Sequence, residues 1–259
     1  MRNAECGVRN QNTDAFGNNS LHPSHLAPRT LPAFTLIELL VVISIIAVLA
    51  AFTVPVLKSV ARKKVLDRTK GEMAQLETAI DSYKAAYGSY PPSNPNYIPT
   101  NSITWPQAMF PPLYYELLGT TNNSGLGLYQ TLDGSASISD SSASVANAFG
   151  VSGFINCSKT GAGEDAPAAR DFLPDLKPNR FMSASNNGVL ATVLVASVAG
   201  PDPGYRPFFG TSGFNPWRYV SPGFNNPNSY DLWIQLVISG QTNLICNWSK
   251  QVQINSPLP

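Results

Sequence analysis

Histidine is nearly missing from this chain of 259 residues: it occurs only as His22 and His25. Both stand before the one long apolar run, so a chain cut at that run would carry none. That excludes Ser-His-Asp and Cys-His catalysis, and histidine-held metals, from everything that follows. Charge is scarce as well, with 13% Asp, Glu, Lys and Arg and a formal net charge of +1. This is about half the usual charged share. One local basic cluster aside, no basic face emerges, which argues against nucleic acid as a partner. Cysteine is limited to Cys6, Cys157 and Cys246. Cys157 and Cys246 form an even pair, compatible with one disulfide outside the cytoplasm or with two free thiols. Glycine (19) and proline (22) are plentiful. The balance points to a loop-rich extracytoplasmic α+β or β domain rather than a cytosolic enzyme.

From Phe34 to Leu57 the chain is apolar except for Thr35, Glu38, Ser44 and Thr53. About 24 residues would cross a hydrocarbon core of roughly 30 Å as a helix. The run is longer than the apolar part of a removable secretory signal and leads directly into a helical pattern, so a retained membrane helix is expected. Glu38 is the exception within it. A carboxylate deep in lipid costs roughly 2.5–3.5 kcal/mol, less near the interface. No Lys or Arg within the run is available to it, so the expectation is either a place near the headgroups or a cation from another molecule.

The string FTLIELLVVISIIAVLA resembles the N-terminal signature of type IV pilins and of the pseudopilins of type II secretion. The resemblance implies a leader, residues 1–33, removed by a prepilin peptidase between Ala33 and Phe34. Phe34 would become the N-methylated terminus. Glu38 would pair with the terminal amine of a neighbouring copy during assembly, which would offset its cost. Pro55 falls where many helices of the family carry a break. In place of Ala33 the family usually has Gly. Two further stretches are similar to the major pseudopilin: LETAIDSYKAAYGSYPP (76–92) and NPWRYVSPGFNNPNSYDLWIQ (215–235). The resemblance covers residues 34 to about 92 and about 215 to 239. It implies copies of the chain, other pilins or pseudopilins, the peptidase, lipid, and an inner-membrane platform with its cytoplasmic ATPase as partners. The location implied is single-pass inner membrane with the C-terminal part outside. Lys58, Arg62, Lys63, Lys64, Arg68 and Lys70 follow the run, and that positive bias by itself would favour the opposite orientation.

Leu66, Thr69, Met73, Leu76, Ile80, Tyr83 and Tyr87 step by 3 and 4 and predict an amphipathic helix over 58–88 that ends at Gly88. The remainder, 89–259, is expected to be a globular head with a loop-rich insertion (about 93–214) and a C-terminal hairpin (about 217–248). Within the insertion, MFPPLYYELLGT (109–120) predicts a short helix entered through Pro111 and Pro112. GSASISDSSASVANAFG (134–150) reads as a surface loop. GVLATVLVASVAG (188–200) suits a buried strand or a short helix. YDLWIQLVIS and NLICNW flank SGQT as a hairpin. The fold class expected is therefore α+β: a long membrane-spanning helix continuing into an amphipathic half packed on a small C-terminal antiparallel sheet.

Few residues offer chemistry. In the family's C-terminal loop, carboxylates bind calcium. Here Asp231, with Asn225, Asn226 and Asn228, makes a weak candidate, since calcium wants six to eight oxygens. No other cofactor is expected. GAGEDA (161–166) lacks the Lys and the strand of a phosphate loop. Glu164, Asp165 and Asp171 read as solvated charges rather than a catalytic pair. Trp217, Tyr219, Tyr230 and Trp233 alternate as sheet-packing residues do. The function expected is that of a non-enzymatic fibre subunit, a type II secretion pseudopilin or a type IV pilin. The alternative is a tethered extracytoplasmic binding domain or enzyme.

Overall fold

The computed structural model describes residues 34–96, 110–159, 168–198, 215–238 and 240–256, without the side chains of 52–58. The leader 1–33, Ala33, Glu164 and Asp165 lie outside the described residues. The chain divides into two compact units, residues 1–52 and 53–259.

Helix α1 (Leu36–Tyr87) crosses that division as one element, and the helix assignment runs through Pro55 without interruption. In the first unit its apolar side chains are open on every side, from Phe34 (74% exposed) to Leu49 (60%). Among the described residues no helix is long and apolar enough to cross a membrane. The membrane-spanning helix in the expected fold, and the single-pass inner-membrane location derived from it, are therefore corrected.

In the second unit the 3-and-4 spacing buries one face of α1. Thr69, Leu76, Ile80 and Tyr83 are fully buried, while Lys63, Lys64 and Asp81 stay exposed. The helix stops at Gly88, whose φ of 77° closes it with a bond from its N–H to the Lys84 carbonyl. Next come α2 (Leu113–Leu118), β1 (Thr120–Asn123), β2 (Leu128–Thr131), β3 (Ser137–Ser139), α3 (Ser142–Phe149) and β4 (Cys157–Lys159). A 3₁₀ turn (Pro178–Arg180) leads into β5 (Phe181–Asn186) and β6 (Val189–Leu194). The chain closes with β7 (Arg218–Val220), β8 (Asp231–Ile238), β9 (Gln241–Cys246) and β10 (Ser249–Ile254).

The architecture is α+β with three sheets rather than one small C-terminal sheet. One has the order β3-β2-β1-β4, with β1 and β4 parallel. The second, β10-β9-β8-β7, is antiparallel throughout. The third is the β5-β6 hairpin, turned by Asn187 and Gly188 at positive φ as a two-residue turn requires. The expected hairpin is β8-β9, extended on one side by β7 at the sheet-packing Tyr219 and on the other by β10, which its polar residues hid.

Described parts of the insertion enter the core. All six residues of α2 are buried. The stretch expected as a surface loop forms β3 and α3, and α3 buries Val145, Ala148 and Phe149. Small residues allowed that helix, and its three apolar positions found a core that the composition did not advertise.

The polar centre of this unit is Glu116 on α2, which has no exposure. Its Oε1 accepts from Ile155 N (2.9 Å), and its Oε2 from Asn156 N (3.0 Å) and the Tyr83 hydroxyl (2.9 Å). Asn156 returns the bond to the Glu116 carbonyl (2.7 Å) and also donates to the Arg170 carbonyl (2.6 Å). Its side-chain oxygen accepts from the Tyr87 hydroxyl (2.6 Å) and Arg170 N (2.8 Å). Removing the carboxylate would strand three donors. Glu116→Ala should cost about 3 kcal/mol or more, read by chemical denaturation. Burial holds this carboxyl above its ordinary value, against the pull of its donors. A raised carboxyl favours the folded state below its unfolded pKa, and that contribution is lost as pH rises through the folded value. Relative to Glu116→Gln, which does not titrate, the wild type should therefore gain stability as pH falls from neutral into the weakly acid range.

Candidate functional site

The start of α1 is the place the sequence singles out. Phe34 is exposed, and Thr35 stands immediately before the first helical residue, Leu36. Glu38 is the third residue of the helix. Its Oε2 accepts from Thr35 N (2.8 Å) and from the Thr35 hydroxyl (2.7 Å), while Glu38 N reaches back to Thr35 Oγ1 (3.3 Å). This is a capping box: two otherwise unpaired donors of the first turn are satisfied reciprocally. The two Thr35 donors, backbone first, hold the Glu38 carboxyl below its ordinary value. Glu38 is thus held by its own chain, through a neutral neighbour three residues away. Such a cap stabilises a helix start by about 1 kcal/mol. Both bonds that the carboxylate accepts fall on Oε2, which leaves the Oε1 side for an incoming group.

Around and beyond this cap stands a continuous apolar surface. Leu36, Ile37, Leu39, Leu40, Ile43, Ile45, Ile46 and Leu49 are each more than half exposed. A contiguous apolar surface of that kind marks a contact with something else, because water is a poor neighbour for it.

The C-terminal loop does not assemble a calcium cage. Asp231 is fully buried at the start of β8, and its oxygens face donors. Oδ2 accepts from Asn225 N (2.7 Å) and Asn225 Nδ2 (3.1 Å), and Oδ1 from Asn226 N (3.0 Å). A cation would need those same lone pairs. Asn226 turns its amide N–H to the Tyr230 carbonyl (3.1 Å), and Asn228 is exposed. Gly223 lies so close that a Cβ there would stand 2.5 Å from Asp231 Oδ1. The loop is wrapped on the carboxylate as its anchor. Among the described residues no group of three or more His, Cys, Asp or Glu could hold a metal ion.

Cys157 and Cys246 are free thiols on different sheets, β4 and β9, so the candidate disulfide is not formed. Trp217, Tyr219, Tyr230 and Trp233 are all buried, as packing residues.

A second polar cluster went unread in the sequence. Glu72 sits on the buried face of α1, with Arg68 Nε at 3.4 Å and Arg180 Nε at 3.6 Å. Ser197 donates to it through both its N–H (3.3 Å) and its hydroxyl. Arg180 is more than nine-tenths buried, and desolvation lowers its pKa while Glu72 opposes the shift. Arg68, Glu72 and Arg180, with Gln75, Asp175 and Lys177, line a cleft of about 290 Å³. The signal was present: Thr69, Glu72 and Leu76 are spaced as one face, so the glutamate falls in the apolar phase of the helix.

No protein-family model, no curated protein and no solved structure matches this chain.

Asp231→Ala should loosen residues 221–230 and lower stability by about 2–4 kcal/mol, since bonds to an ionised group are worth roughly 1.5–3 kcal/mol each and do not add fully. Added calcium should leave the wild-type Tm unchanged. A calcium-dependent rise in Tm would overturn the reading of Asp231 as a loop anchor.

Proposed function

We propose that this chain is a non-enzymatic structural subunit of a pilus-like fibre, of the type II secretion pseudopilin kind. In this reading a prepilin-type peptidase frees Phe34 as the new N-terminus. Copies then associate through the apolar part of α1, with an assembly platform and its ATPase driving the process. The observation that carries the reading is the apolar start of α1, exposed on all sides and bearing one carboxylate in its first turn. Association with copies of the same helix covers that surface at once and repeatedly. Glu38 then has two tasks: Oε2 closes its own helix, and the carboxylate charge meets the ammonium of a neighbour's Phe34. The charge is needed for the second task only.

That division gives a discriminating experiment. Gln at the third helical position keeps a capping box but removes the charge. Thr35→Ala removes the cap and keeps the charge. Glu38→Gln should therefore abolish fibres seen by negative-stain microscopy, while Thr35→Ala should reduce them only in proportion to a cap worth about 1 kcal/mol. Mass spectrometry of the assembled wild-type protein should find a chain beginning at Phe34 and heavier by one methyl group. Normal fibres from Glu38→Gln, or a chain that keeps residues 1–33 within the fibre, would end this reading.

A further inference from the structure

Within the second unit, one flank of α1 carries Lys63, Asp67, Lys70, Ala74, Glu77 and Asp81, with Lys70, Ala74 and Glu77 beside β9 and β10 of the same chain. Their spacing of 4, 3, 4, 3 and 4 places them on one stripe. The signs separate along it. The lower end, with Lys64 on its flank, is mostly basic, and the upper end is acidic.

The chain itself uses some of these charges and leaves others. Arg62 donates to Asn243 (3.0 Å), Lys70 to the Lys250 carbonyl (3.3 Å), and Lys84 lies 4.0 Å over the Tyr90 ring. The ion pairs among the described residues both fall on Glu72. Among the described residues, Lys63 and Lys64 below, and Glu77 and Asp81 above, form no ion pair. Glu77 and Asp81 are also one turn apart and repel each other, an arrangement that destabilises a helix standing alone. Partial burial first, and Asp81 second, push the Glu77 carboxyl up. A cation brought to this pair would relieve it. Ala74 and Thr78, short and exposed, stand between the two ends and do not hold a neighbouring helix away.

We propose that copies of this chain set their register by charge, the Lys63–Lys64 end of α1 in one copy facing Glu77 and Asp81 in the next. This rests on the fibre reading above. Lys63 and Asp81 are 18 positions apart, five turns of helix, and so share one edge. Lys63 to Glu77 is 14 positions. The axial displacement between parallel copies is therefore roughly 21–27 Å at 1.5 Å per residue. Parallel copies without displacement would set like charge against like. The displaced contact is head-to-tail: each copy offers one end upward and the other downward, so the arrangement continues instead of closing.

The test uses the full chain under conditions where the wild type assembles. Lys63→Glu with Lys64→Glu, and separately Glu77→Lys with Asp81→Lys, should each cut sedimentable fibre by about tenfold or more, and all four changes together should restore it. Raising the salt concentration should weaken wild-type assembly. Carbodiimide cross-linking of mixed heavy- and light-isotope protein should join Lys63 or Lys64 of one copy to Glu77 or Asp81 of another. Fibres at wild-type yield from either double variant would overturn the register and leave the fibre reading standing. So would a quadruple variant that melts normally yet does not assemble, or cross-links found only in closed dimers. A wild type that never assembles would defeat the fibre reading itself.

Discussion

Glu116 is a carboxylate with no exposure, and four separate segments meet at it. Tyr83 comes from α1, the carboxylate from α2, and Ile155 and Asn156 from the approach to β4. Through Asn156 the Arg170 segment is tied in as well. Taking an ionised group out of water is costly, and only full satisfaction of its oxygens makes it tolerable. The rest of the second unit is arranged so that these donors arrive together. Around them the aromatic rings Tyr83, Tyr87 and Phe172 pack at 4.7 to 6.1 Å. The clamp explains how a segment rich in Ser, Asn and Gly still has a defined core. Its few apolar residues are held in place by a polar tie instead of by bulk.

The same device recurs. Glu72 binds α1 to Arg180 at the entry to β5 and to Ser197 beyond β6. Asp231 gathers the loop before β8. In each case an acid buried against backbone or side-chain donors fixes one element on another.

The two parts of α1 use the helix differently. Beyond residue 58 one face is buried on its own domain and a flank carries separated charge. Before residue 52 no face is buried, and the residues are apolar except Thr35, Glu38 and Ser44. A helix apolar all round cannot be stable in water by itself. Among the described residues nothing covers it, and the capping box secures only its first turn.

Periodicity and local chemistry made much of this legible in advance. The 3-and-4 spacing from Leu66 to Tyr87, the stop at Gly88, the helix after Pro111 and Pro112, and the β8-β9 hairpin around its Gly-containing turn follow from the sequence, because each is decided by neighbours within a few residues. Glu38 also stood out, though its partner did not. Thr35 satisfies it through a local cap that the apolar run around it overshadowed. What remained hidden depends on residues far apart in the chain. Glu116 reads as one more polar position until Asn156 and Tyr83 are brought to it. Asp231 reads as a calcium ligand until the loop amides turn toward it. The polar stretch 134–150 reads as a loop until β6 and the core give α3 something to pack on. Sequence alone determined the buried face of α1, its stop at Gly88, α2 and the β8-β9 hairpin. Only the tertiary structure decided which buried charges find partners, because a hydrogen bond across a hundred residues leaves no local trace.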